Sequence, residues 1–111
     1  MDFATMERES REHLLNPKAG DYWHEMFTPI CVVLEVGADV LTLCRSIEAV
    51  KDGWTWNLTK RETKTRREFA KWLSYESIPD KTWCHVISEH HLWAVEEFKR
   101  LTAAALAEWS I

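Results

Sequence analysis

Two apolar runs, Ile30-Cys31-Val32-Val33-Leu34-Glu35-Val36 and Val40-Leu41-Thr42-Leu43-Cys44-Arg45, stand on either side of Gly37-Ala38-Asp39. Runs rich in β-branched residues around a short polar turn predict a hairpin. Ile30, Val32, Leu34 and Val36 form the more apolar side of the first strand, and Leu41 and Leu43 that of the second. For these to share a side, even positions must oppose odd ones, because a slip of a single residue turns every side chain over. A two-residue turn at Gly37-Ala38 meets the condition and sets Leu34 opposite Leu41, Val32 opposite Leu43 and Cys31 opposite Cys44. A four-residue loop keeps the same parity and separates the two sulfurs.

Further along, Trp54-Thr55-Trp56-Asn57-Leu58 alternates large apolar with polar residues and predicts a third strand with Trp54, Trp56 and Leu58 on one face. Thr65-Arg66-Arg67-Glu68 has the capping-box pattern, and Phe69, Trp72 and Leu73 follow at helical spacing, so a short amphipathic helix is expected over about 66–75. Ser77-Ile78-Pro79-Asp80 ends it, and Trp83-Cys84-His85-Val86-Ile87 predicts a fourth strand. Ser88 can cap a closing helix from Glu89 to about Trp109, in which Leu92, Val95, Phe98, Leu101, Ala105, Leu106 and Trp109 make one stripe. Its end, Ala103-Ala104-Ala105-Leu106-Ala107, has small side chains suited to lying on a sheet or meeting a second copy of itself. At the other end, residues 2–15 predict a helix opened by Asp2 and ended by Asn16-Pro17. Its apolar stripe (Phe3, Met6, Leu14, Leu15) is broken, and residues 1–17 are expected to be a loosely attached helix. A loop at Lys18-Ala19-Gly20-Asp21 then leads into an aromatic cluster of Tyr22, Trp23 and Phe27.

The expectation is one α+β domain over 1–111, with a small antiparallel sheet of three to four strands packed by the C-terminal helix and the short middle helix. With 46% hydrophobic residues, seven Trp and three Gly in 111 residues, the composition is that of a chain able to bury a core. No apolar run is long enough to cross a bilayer, and the N-terminal residues lack the blocks of a secretory signal, so a cytoplasmic location is expected and no membrane partner. Cys31, Cys44 and Cys84 are an odd count without metal-site or redox spacing and read as buried free thiols.

The formal charge of −4 argues against general nucleic-acid binding. Residues 60–71 run the other way: Lys60, Arg61, Lys64, Arg66, Arg67 and Lys71 against Glu62 and Glu68 give +4, which leaves −8 for the remainder. Cations interleaved with Trp54, Trp56 and Trp72 can grip phosphates and stack bases, and Arg66 and Arg67 stand at a helix N-terminus that already favours anions. The plainer reading makes the rings core and the cations a solvated rim. Cys84 with His85, His90 and His91 has the residue types of a zinc site. However, Cys84 and His85 are adjacent on a strand and point apart, and His90 and His91 diverge around a helix. The same geometry disfavours a Cys-His nucleophile, and no nucleophile elbow, phosphate-cradling glycine loop or metalloprotease motif occurs. No catalytic residue, metal or cofactor is assigned. Of the seven Trp, most must be core, and Trp23 and Trp83, beside loops, are expected to be partly exposed at a binding surface.

Trp54-Thr55-Trp56-Asn57-Leu58, with Thr65-Arg66-Arg67-Glu68-Phe69, Trp72-Leu73-Ser74-Tyr75 and Ser77-Ile78-Pro79, resembles small uncharacterised proteins encoded by bacteriophages, over roughly residues 20–98. The resemblance implies an accessory phage protein that acts by binding a host component in the host cytoplasm. The reading of the whole is therefore a non-catalytic binding protein engaging another protein, with a possible homodimer through the final helix. Its candidate surface is Trp23, Trp54, Trp56, Trp83, Lys64, Arg66 and Arg67. The alternative is binding of a nucleotide or nucleic acid by segment 60–71 and its neighbouring Trp.

Overall fold

The computed structural model describes residues 3–25, 28–51, 53–75, 77–78, 81–86, 100, 103–104 and 107–109, and the statements below concern these. Helix α1 (Phe3–Leu15) is followed by strands β1 (Tyr22–Glu25), β2 (Thr28–Val36), β3 (Val40–Cys44), β4 (Ile47–Val50) and β5 (Gly53–Trp56). A single 3-10 turn at Leu58–Lys60 leads into β6 (Arg61–Thr65), helix α2 (Arg66–Leu73) and the short strand β7 (His85–Val86). Five strands form one antiparallel sheet in the order β6-β3-β2-β1-β7, and β4 and β5 pair as a separate two-stranded sheet.

The class is α+β as expected, but the main sheet has five strands and the element read as the third strand lies outside it, in the small hairpin. Strands β1, β4 and β6 were not anticipated. Each is four or five residues long, and β6, Arg61-Glu62-Thr63-Lys64-Thr65, is wholly polar. Such a strand carries no hydrophobic periodicity by which a sequence pattern could reveal it.

The predicted hairpin forms, with a different register. Val36 pairs with Leu41, and the Gly37 N–H donates to the Val40 carbonyl, so the turn is at Ala38-Asp39 rather than Gly37-Ala38. A bulge at Leu34 then shifts the ladder to Val33 opposite Leu43 and Val32 opposite Cys44. Cys31, Val33, Leu41 and Leu43 consequently share one side of the sheet with Leu14, Phe69 and Leu73, whereas Val32, Leu34 and Cys44 join Tyr22, Trp56 and Leu58 on the other. This corrects both the face assignment and the opposition of Cys31 to Cys44, which lie in different clusters. The physical reason is that both sides of β2 are covered. A strand buried on two faces reads as a continuous apolar run, from which parity is not recoverable.

Helices α1 and α2 cover the first side, in place of the expected pairing of α2 with the C-terminal helix. Most of residues 89–109 lies outside the described residues, and with it the proposed apolar stripe. Helix α2 begins with the anticipated capping box: Glu68 N–H donates to Thr65 Oγ1 while Thr65 N–H donates to Glu68 Oε1. The helix buries Phe69 and Leu73 and ends at Leu73 rather than 75. Helix α1 is docked rather than loose. Leu14 is in the core, and the fully buried Ser10 accepts a hydrogen bond from Val86 N–H at 3.1 Å. Ser10 is thus the residue that broke the apolar stripe, and its hydroxyl satisfies the amide of the two-residue strand β7. Removing it by Ser10→Ala orphans that buried amide. The substitution is expected to lower stability by about 1–3 kcal/mol, read from the midpoint of urea unfolding, with Val86 N–H exchange accelerated.

The connection from α1 to the sheet is closed by Asp21. Its carboxylate accepts from Lys18 N–H at 2.9 Å and meets His13 Nδ1 at 2.9 Å. Gly20, with φ of 95°, makes the left-handed bend that lets its own N–H reach the Val33 carbonyl.

Candidate binding surface

The basic segment is divided between β6 and α2. Pairing with β3 runs Val40 to Thr65 through Cys44 to Arg61, and Arg66 N–H continues it by donating to the Asp39 carbonyl at 3.0 Å. That bond sets the phase of the ladder. In an antiparallel pair, alternate residues turn both backbone groups toward the partner. Glu62, Lys64 and Arg66 therefore face β3, and Arg61 and Thr63 turn away from it; the Arg61 N–H closes the 3-10 turn toward the Leu58 carbonyl, which leaves the Arg61 C=O and the Thr63 N–H and C=O outward. No other described strand lies beyond β6, so among the described residues these three groups line an edge that no strand covers.

On the helix side of the sheet, the half-buried Trp72 is the centre of an aromatic and cationic stack. The Arg45 guanidinium lies 5.0 Å from its ring centroid and Lys64 Nζ 5.2 Å. Phe69 and Trp83 meet the same ring edge-on at 6.3 and 6.4 Å. Trp83 is fixed by donating its indole N–H to the Trp72 carbonyl at 2.7 Å, and Arg45 also pairs with Glu62 at 3.4 Å. On the opposite side, Arg61 lies 4.8 Å from the Trp109 ring and donates to the Leu58 carbonyl. Lys60, Arg67 and Lys71 are exposed, while Arg66 is half-buried and donates to the Gly37 carbonyl at 3.3 Å.

The structure brings Lys64, Arg66, Arg67 and Trp83 to one end of the molecule, around β6 and α2. Trp23 and Trp56 are elsewhere in the core, at 0% and 2% exposure, so the expected exposure of Trp23 is corrected. Trp23 sits on β1, which is flanked on both edges by β2 and β7, and stacks edge-on against Phe69 at 6.0 Å. Trp56 meets Tyr22 in the same manner at 5.4 Å. The side chain of Trp54, together with Phe27, His90 and His91, lies outside what is described. Sequence reasoning missed Arg45 and Trp72 as partners. Nothing short of the β3–β6 pairing signals that Arg45 reaches a ring twenty-seven positions later.

A second feature is an open groove of about 510 Å³ beside α1, lined by Ala4, Glu7, Arg11, Leu15, Ile78 and Lys81 among others. Its apolar members, Leu15 and Ile78, are exposed, and charges of both signs surround them.

Among the described residues no group of three His, Cys, Asp or Glu is placed to hold a metal ion. Cys31, Cys44 and Cys84 are free and buried. Burial pushes the Cys84 thiol up to about 12 and raises those of Cys31 and Cys44 as well. His24 and His85 face each other across β1 and β7. Burial, and then the neighbouring His24 ring, hold the His85 imidazole below its ordinary range, with Glu7 opposing. The unfolded chain takes up this proton near pH 6.5, the folded one only at lower pH. The stability that neutral His85 contributes is therefore complete above about pH 6.5 and declines as the pH falls below it. Urea midpoints compared at pH 7.5 and 5.5 should show the loss, and His85→Gln should shrink the difference. Asp21, whose carboxyl is raised by burial, acts in the opposite sense in the carboxylate range.

Compared with protein-family models, curated proteins and solved structures, the chain matches none.

Proposed function

We propose that this chain is a non-catalytic binding protein whose partner is another protein, in keeping with the accessory phage role that the resemblance in residues 54–79 implies. The observation that supports the reading is the open edge of β6. Outward N–H and C=O groups at strand spacing are matched group for group by another polypeptide backbone, whereas the phosphates of a nucleic acid offer acceptors alone. Of the rings that would stack bases, Trp72 is engaged by Arg45 and Lys64, and Trp56 is buried against Tyr22.

A photo-cross-linker replacing the exposed Arg67, used in the host cytoplasm, tests the reading. A protease-sensitive, nuclease-resistant adduct absent from the same cross-linker at exposed Ala19 is expected. Adducts to nucleic acid alone, or none above the Ala19 control, would overturn it.

The exposed cations Lys60, Arg67 and Lys71 favour a second reading, binding of a nucleotide or nucleic acid. It requires affinity that falls steeply with salt and drops on replacing Arg66 and Arg67 by Ala. Affinity indifferent to salt would remove it.

A further inference from the structure

Resting on the protein-binding reading, we infer that the partner contributes an extended acidic segment that adds as a sixth strand to β6. The backbone supplies the frame. Thr63 offers a donor and an acceptor on the outer side and Arg61 an acceptor, spaced to pair with alternate residues of an incoming strand. Thr65 adds nothing further, since its N–H is held by Glu68 in the capping box, so the pairing is centred on 61–63.

Charge supplies the selectivity. Lys60, Arg61 and Arg67 are exposed around the edge and Lys64 is half-buried beside it. Glu62 is paired with Arg45, and the six cations of the segment outnumber Glu62 and Glu68 by four. The uncompensated field is therefore positive, although the chain as a whole is at −4. Such an edge repels a second copy of itself, because self-pairing would bring two +4 segments together, and charges on an edge strand are a recognised barrier to that association. An acidic strand meets no such barrier. Carboxylates on the side of the sheet that Arg61 occupies neutralise it while the amides of the strand complete the ladder.

The test uses the whole protein and a fluorescent peptide of about eight residues alternating Glu and Val, a length typical of a paired strand, with a Gln-Val analogue and an oligothymidylate of similar length as comparisons. Two variants separate backbone from side chain. Thr63→Pro removes the outward N–H without touching the β3 ladder, which proline tolerates on an edge, and Thr63→Val keeps it. The Glu-Val peptide should bind about tenfold more tightly than Gln-Val, lose about tenfold on Thr63→Pro and change by less than about threefold on Thr63→Val. Oligothymidylate affinity should be the same in both variants. Independently of any variant, the Thr63 amide of the natural chain should gain protection from exchange when the Glu-Val peptide is added. Equal affinity for Glu-Val and Gln-Val, unchanged binding on Thr63→Pro, an unprotected Thr63 amide, or protection arising from self-association without peptide would each overturn the inference. If it fails while the Arg67 cross-link to protein persists, the partner docks by another mode. If the cross-link is also absent, the protein-binding reading fails with it.

Discussion

Trp23→Ala is expected to destabilise the protein by about 3–5 kcal/mol, the usual range for removing a large ring from a packed core. Trp23 is fully buried in β1, inside the five-stranded sheet, and its ring closes the space between that strand and Phe69 of α2. Against a total stability of roughly 5–15 kcal/mol for domains in general, this loss brings the folded state close to balance with the unfolded one. Trp23→Phe should be much milder, under about 2 kcal/mol. The Trp23 indole N–H is buried and donates to no described acceptor, so phenylalanine relieves an unsatisfied donor while giving up some packing. Urea unfolding followed by circular dichroism reads both variants. If Trp23→Ala unfolds at the same denaturant concentration as the natural chain, the ring is not part of the core.

The second large effect concerns the thiols. At pH 8 an ordinary cysteine, with a pKa near 8.5, is roughly one-quarter thiolate. Cys84, pushed up to about 12, is ionised about one part in ten thousand. Folding should therefore slow its reaction with a thiol reagent by about a thousandfold through ionisation alone, and its zero exposure slows it further. Cys31 shares the same cluster, and Cys44 is held by hydrogen bonds to the Ser46 and Asn57 carbonyls. All three should label at a rate that follows opening of the native structure and rises with urea. Rapid labelling of Cys84 in the native protein near neutral pH would contradict the burial and would restore the case for a nucleophilic cysteine, and with it an enzyme.

Where local chemistry suffices, the sequence alone determined the structure. Thr65 and Glu68 specify the start of α2 because a capping box uses only atoms three residues apart. Asn16-Pro17 specifies the end of α1 because proline excludes the helical conformation just before it. The two β-branched runs specify the hairpin. Only the tertiary structure decided which way β2 faces, because its apolar run is covered on both sides and a bulge at Leu34 resets the register. It alone decided that Ser10 belongs in the core, since the partner that satisfies it, Val86 N–H, is seventy-six residues away. It also decided that Trp23 fills the interior while Trp72 carries the cations Arg45 and Lys64. Residue type sets how much a side chain gains from burial or from a charged neighbour. Which neighbours it meets is set by strand order and register, and the polar strand β6 shows how little of that order is written in hydrophobic pattern.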